Sequence, residues 1–143
     1  MAPTPNSLTT LSLLAAVALS ACSSGPALTD PRDLMIGQWT ITAIDGAPVP
    51  DASEATLEFT SDGVVGGNAT LNRLRGSYEI TNGVLRFSRL VTTRRAGPPQ
   101  LMDQERRMLA AMEATARVNR DGDELLLCDA DGTELLRARP GKP

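Results

Sequence analysis

The segment Gln104-Glu105-Arg106 is the nearest thing to a catalytic motif in this chain of 143 residues. A carboxylate beside a guanidinium could polarise a substrate, but no second positioned acid or nucleophile accompanies it. The competing reading is that these residues fasten the start of a helix to a sheet through hydrogen bonds. Asp121-Gly122-Asp123 and Asp129-Ala130-Asp131-Gly132 look faintly like calcium loops. A calcium site asks for roughly six to eight oxygens in register and a closing bidentate Glu. Between short strands, Asp and Gly instead supply turn dihedrals, so turns are expected here and no metal. Cys128 ends the apolar run Leu125-Leu126-Leu127, where burial raises a thiol pKa and keeps it inert; a reactive thiol is the alternative. Arg73, Arg75, Arg86, Arg89, Arg94 and Arg95 face a single acid, Glu79, over residues 73–95. Such an excess suits anionic lipid headgroups, phosphates or an acidic partner, or it is a solvated face paired with the acidic C-terminal third. Arg73, Arg75, Tyr78, Arg94 and Arg95 are the candidate binding surface.

Composition narrows the chemistry further. The chain has no histidine, so it has no histidine base or histidine metal ligand, and no Ser-His-Asp or Cys-His site. Two cysteines cannot build a structural zinc site, and the only lysine, Lys142, lies in the tail. A formal charge of -3 argues against a nucleic-acid binder, for which a strong basic excess is the usual footprint. The length suits one domain with a real core, and 41% of the residues are apolar. No cofactor is expected.

The N-terminal segment reads as an address. Residues 1–21 carry no Asp, Glu, Lys or Arg, and residues 11–19 are almost wholly apolar. That run is too short for a bilayer core of roughly 30 Å, and a secretory signal fits better. It closes on Leu19-Ser20-Ala21-Cys22, which resembles the lipobox of bacterial lipoprotein precursors. The resemblance implies cleavage between Ala21 and Cys22 and acylation of the Cys22 thiol, giving a membrane anchor of more than one chain. It also implies the outer membrane, since Ser23 rather than Asp follows Cys22. The uncharged stretch over residues 1–10 departs from the usual pattern. A plain secretory signal with a chance cysteine, or a start at the wrong codon, would give the same text. Residues 22–33, with Ser23-Ser24-Gly25-Pro26, read as the lipidated cysteine and a flexible tether.

From residue 34 to 140 the pattern is one of short strands between turn signals. Residues 38–44, 55–60 and 74–80 alternate with period two, and residues 64–69 and 84–93 read as the return strands of hairpins. Asp45-Gly46, Ser61-Asp62-Gly63 and Asn82-Gly83 punctuate them. Residues 101–115 place Leu101, Met108, Leu109 and Met112, and then Ala116, at helical spacing after Pro98-Pro99. Residues 116–120, 124–129 and 134–139 return to strand. The expectation is an α+β fold: a mainly antiparallel, curled sheet of about eight short strands packed with one helix.

The ordered set resembles the META domain. Its matching pieces are Gly37-Gln38-Trp39, Ile44-Asp45-Gly46, Leu57-Glu58-Phe59 with Asp62-Gly63, and Gly67-Asn68-Ala69. Asn72-Arg73, Gly76-Ser77-Tyr78, Thr92-Thr93-Arg94 and residues 102–106 follow, and then Gly122-Asp123-Glu124-Leu125 and Asp131-Gly132. The resemblance implies a compact antiparallel sheet curled about one helix, and no known reaction. Family members usually carry Gly-Cys-Asn where Thr70-Leu71-Asn72 stands here, and a second cysteine where Ala96-Gly97 stands. Both are absent, as expected if the two normally pair, and Leu71 is a candidate to fill the vacated volume.

Together these readings anticipate a monomeric, non-enzymatic lipoprotein facing the periplasm, with a role in envelope integrity or stress. Its partners would be the membrane, through Cys22, and an envelope protein or anionic lipid. A periplasmic protein- or ligand-binding module, such as an inhibitor of a wall-degrading enzyme, is the alternative.

Overall fold

Turn chemistry sets the order of elements in the computed structural model, which describes residues 29–142. They run α1 (Pro31–Met35), β1 (Gly37–Ile44), β2 (Ala47–Pro48), a 3-10 turn (Asp51–Ser53), β3 (Thr56–Phe59) and β4 (Val64–Asn68). Then come β5 (Arg73–Thr81), β6 (Val84–Thr92), α2 (Pro99–Ala114), β7 (Arg117–Asp121), β8 (Glu124–Cys128) and β9 (Glu134–Pro140). Among the described residues every ladder is antiparallel, in the order β6-β5-β4-β3-β1-β9-β8-β7, with β2 paired to β1. The anticipated α+β class and curled antiparallel sheet are both present, as a half-barrel. Its two edges approach where the Leu85 amide donates to the Ala116 carbonyl at 2.9 Å.

The tight turns explain the hairpins. Asn82 and Gly83 sit at φ 51° and 76°, the left-handed pair that matches the twist of the flanking strands β5 and β6. Gly67, at φ 145°, is required for a different reason. A Cβ there would lie 2.1 Å from the Thr56 carbonyl oxygen, so β3 and β4 could not approach.

The helix α2 fills the concave side of the sheet. Met108, Ala111 and Met112 are buried in one core with Leu57, Phe59 and Leu74. Fully burying a large apolar side chain of this kind is worth about 1.5–3 kcal/mol. The ring of Phe59 meets that of Tyr78 edge-on, with centroids 5.5 Å apart. The buried stripe of α2 also includes Gln104, while Ala116 lies beyond the helix end. No helix among the described residues is long and apolar enough to cross a membrane.

Two short elements depart from the sequence reading. α1 begins inside residues 22–33, where a flexible tether is expected. The Asp30 carboxylate accepts from the Arg32 amide, Pro31 starts the helix, and Met35 is fully buried. The Trp39 indole N–H then donates to the Met35 carbonyl at 2.6 Å, and the Arg120 guanidinium lies 4.7 Å from the centre of the Trp39 ring. A cation over an aromatic face contributes about 0.5–1 kcal/mol at exposed sites. Pro48, between the strands read at residues 38–44 and 55–60, lies in β2, the two-residue return of the Asp45-Gly46 hairpin.

Candidate functional site

Asn72 and Glu105 form the polar centre of the molecule. Glu105, reached from α2, accepts hydrogen bonds from the backbone amides of Leu71 and Asn72 at 3.0 and 2.9 Å and from the Asn72 side-chain amide at 2.7 Å. Asn72, 4% exposed in the β4–β5 loop, extends the network in the other direction. Its Oδ1 accepts from Thr93 Oγ1 at 3.0 Å and from the Arg95 amide at 2.6 Å, and its Nδ2 also donates to the Arg95 carbonyl. Beside it the buried Gln104 amide donates to Thr70 Oγ1 at 2.9 Å. One helix, one interstrand loop and the segment after β6 are thereby tied together. A network of this kind is firm when every member is satisfied. Of the Gln104-Glu105-Arg106 segment, the first two residues do fasten the helix to the sheet. Arg106 instead points outward and pairs with Asp103.

The arginines lie on the other side of this clamp. On β5, Arg73, Arg75, Ser77 and Glu79 alternate with Leu74, Tyr78 and Ile80, so Arg73 and Arg75 project from the convex face of the sheet. Arg75 stands between Gly66 on β4 and Val91 on β6, and Arg73 beside Asn68. A β-bulge at Arg89 (φ 53°) and Leu90 shifts the β5–β6 register opposite Gly76. A Cβ on Gly76 would meet Leu90 Cδ2 at 2.7 Å. Beyond the bulge Val91 is 63% exposed. These features open a groove of about 960 Å³ whose lining includes Arg73, Arg75, Arg95, Val91 and Thr93, and no acid. Arg94 is exposed next to it.

Tyr78 does not belong to this surface. It is 4% exposed, faces the core, and donates its hydroxyl hydrogen bond to the Thr60 carbonyl. Burial pushes its phenol above the ordinary value of 10.0. The period-two pattern that sends Arg75 outward sends Tyr78 inward.

The acidic C-terminal third pairs elsewhere. Arg137 on β9 gathers Glu134, Glu124 and Asp121 at 2.8, 2.5 and 3.2 Å. Hydrogen bonds to these three carboxylates raise its pKa further above its normal range. Asp129 caps its own turn, accepting from the amides of Asp131 and Thr133, which is the turn role its sequence suggested. Among the described residues no group of three or more His, Cys, Asp or Glu is arranged to hold a metal. Cys128 is 2% exposed, and burial raises its pKa. Cys22 and Ala21, the expected lipidation and cleavage positions, lie outside the described residues.

Asn72 and Thr93 are missing from the candidate residues named from sequence. Their signal was present, because both fall in segments that match the family pattern.

The META domain family matches residues 32–142 of the chain. Three solved structures share its fold. An NMR structure from Burkholderia xenovorans is 22% identical over all of both chains, with a TM-score of 0.64. A second NMR structure is 23% identical, covers 78% of this chain and 95% of that one, and has a TM-score of 0.61. The crystal structure of a DUF4847 family protein from Bacteroides vulgatus ATCC 8482 is 13% identical, covers 77% of this chain and 96% of that one, and has a TM-score of 0.57. No curated protein matches the chain.

Proposed function

The chain belongs to the META domain family, and from that premise we propose that it is a membrane-anchored, periplasm-facing lipoprotein with a non-enzymatic role in envelope integrity or stress. The observation that carries the reading is Leu19-Ser20-Ala21-Cys22, a lipobox-like end to an uncharged apolar segment ahead of the domain. A thiol is the group such a site needs, because it is the nucleophile that takes the lipid. Ser23 after it favours the outer membrane. The non-enzymatic part is supported by Glu105, whose two oxygens hold Leu71 and Asn72 in place and leave it a structural task. Metabolic labelling with a palmitate analogue tests the anchor. Wild-type protein takes the label and Cys22→Ala does not; an unlabelled wild type, or equal labelling of both, refutes it.

The arginine-lined groove favours a second reading, a periplasmic binding module such as an inhibitor of a wall-degrading enzyme. That reading requires a stoichiometric enzyme partner in detergent extracts, whose hydrolytic activity falls when purified protein is added.

A further inference from the structure

The convex β5–β6 face carries guanidiniums that the rest of the fold leaves unpaired. The side chains of Arg73, Arg75, Arg86, Arg89, Arg94 and Arg95 are exposed, and none joins an ion pair among the described residues. Among the described residues of β5 and β6 the one carboxylate is Glu79, opposite Arg86, and Glu58 stands two strands away, beside Gly66. Two exposed valines stand among the arginines: Val91 next to Arg75, and Val84, 37% exposed, at the far end of the same ladder.

The described chain enters at that far end. Pro31 lines a second groove, of about 570 Å³, together with Asn82, Val84, Arg86 and Arg117 and no acid. Nine residue steps separate Pro31 from Cys22, so the connection spans at most roughly 30 Å. β5 has nine residues, which corresponds to roughly 27 Å along the strand. An anchor at Cys22 therefore lets the whole face, from Arg86 to Arg73, reach the surface that holds the anchor.

We infer that the β5–β6 face docks flat on an anionic phospholipid leaflet, its arginines on the phosphates and Val84 and Val91 against the headgroup boundary. Guanidinium forks match phosphate geometry, and cations at an anionic surface add to a lipid anchor as a second membrane signal. A spread of unpaired cations along two strands suits a surface of repeated phosphates better than one compact acidic protein. The reach argument rests on the anchoring reading proposed above; the charge argument does not.

The test uses the chain from residue 22 onward carrying Cys22→Ala, without the apolar segment 1–21, so its outcome is independent of acylation and of that segment. Cosedimentation is compared on phosphatidylcholine vesicles with and without phosphatidylglycerol. Binding to the anionic vesicles is stronger and collapses at high salt. At about fivefold per arginine, Arg73→Gln with Arg75→Gln lowers it on the order of 25-fold, while Arg106→Gln on α2 leaves it unchanged. Neither Arg73 nor Arg75 pairs with another side chain, so the thermal midpoint of the double variant stays put. An environment-sensitive dye on Ser88→Cys, on the docking face, shifts blue on anionic vesicles, and a dye on Glu113→Cys, on α2, does not. Equal sedimentation on both vesicle types, indifference to the arginine substitutions, or equal dye shifts overturns the inference and leaves the face to an acidic protein.

Discussion

Leu71 occupies the space above Gly97: a Cβ placed on Gly97 would lie 2.8 Å from Leu71 Cδ2 and 2.9 Å from Cδ1. The family resemblance implies one cysteine at Leu71 and a second within Ala96-Gly97, and Leu71 and Gly97 are neighbours here although neither is a cysteine. The Leu71 side chain takes the volume such a bridge would use, close to the Asn72–Glu105 clamp.

Restoring the pair should therefore restore the bond. Leu71→Cys with Gly97→Cys should oxidise to a disulfide, seen as the loss of two titratable thiols. The closed loop should add about 2–4 kcal/mol over the reduced form in denaturant unfolding. Gly97→Ala alone should be tolerated with a loss of less than about 1 kcal/mol, because only the flexible end of Leu71 has to move. Persistent free thiols in the double variant would show that the two positions are held apart.

Glu105 should matter more than an exposed helix residue. Glu105→Ala leaves two backbone amides and one side-chain amide without their acceptor, and should cost at least about 2 kcal/mol. Glu105→Gln keeps one acceptor oxygen and should cost less, while Arg106→Ala should stay within about 0.5 kcal/mol. Urea unfolding of the three variants checks this ordering. Equal stability of Glu105→Ala and wild type would remove the clamp from the account.

Tyr78 gives the fold an alkaline limit. Its phenol titrates above 10.0 in the folded chain, so the native state holds its proton where the unfolded chain releases it. Its contribution is complete below pH 10.0 and is lost as pH rises through the folded value. The chain has a single tyrosine, so tyrosinate absorbance reads this group alone. The absorbance should rise later in native than in denatured protein, and Tyr78→Phe should reduce the alkaline decline in stability. Losing the bond to Thr60 should also cost that variant about 1 kcal/mol at neutral pH.

What could be read in advance follows from how local each signal is. Asn82-Gly83 and the alternation around Leu57 and Phe59 act within a few residues, and they located the hairpins and the core face. The helix stripe through Met108 and Met112 is equally local. α1 is five residues long and depends on the burial of Met35 and on Trp39, so its own composition cannot announce it. The clamp joins Asn72 to Glu105 across 33 residues, and no local pattern pairs them. The chemistry of Tyr78 groups it with the arginines, but its period places it with Leu74 on the buried side. The bulge at Arg89 depends on Gly76 across the ladder, a relation that alternation within one strand does not contain.

The proposed anchor leaves one direct signature, the intact mass of the protein extracted from membranes of its native host. The account predicts a chain that begins at Cys22 and carries the mass of a diacylglyceryl thioether and an N-acyl chain. A chain that begins at Met1, or one cleaved elsewhere without added lipid mass, would contradict it.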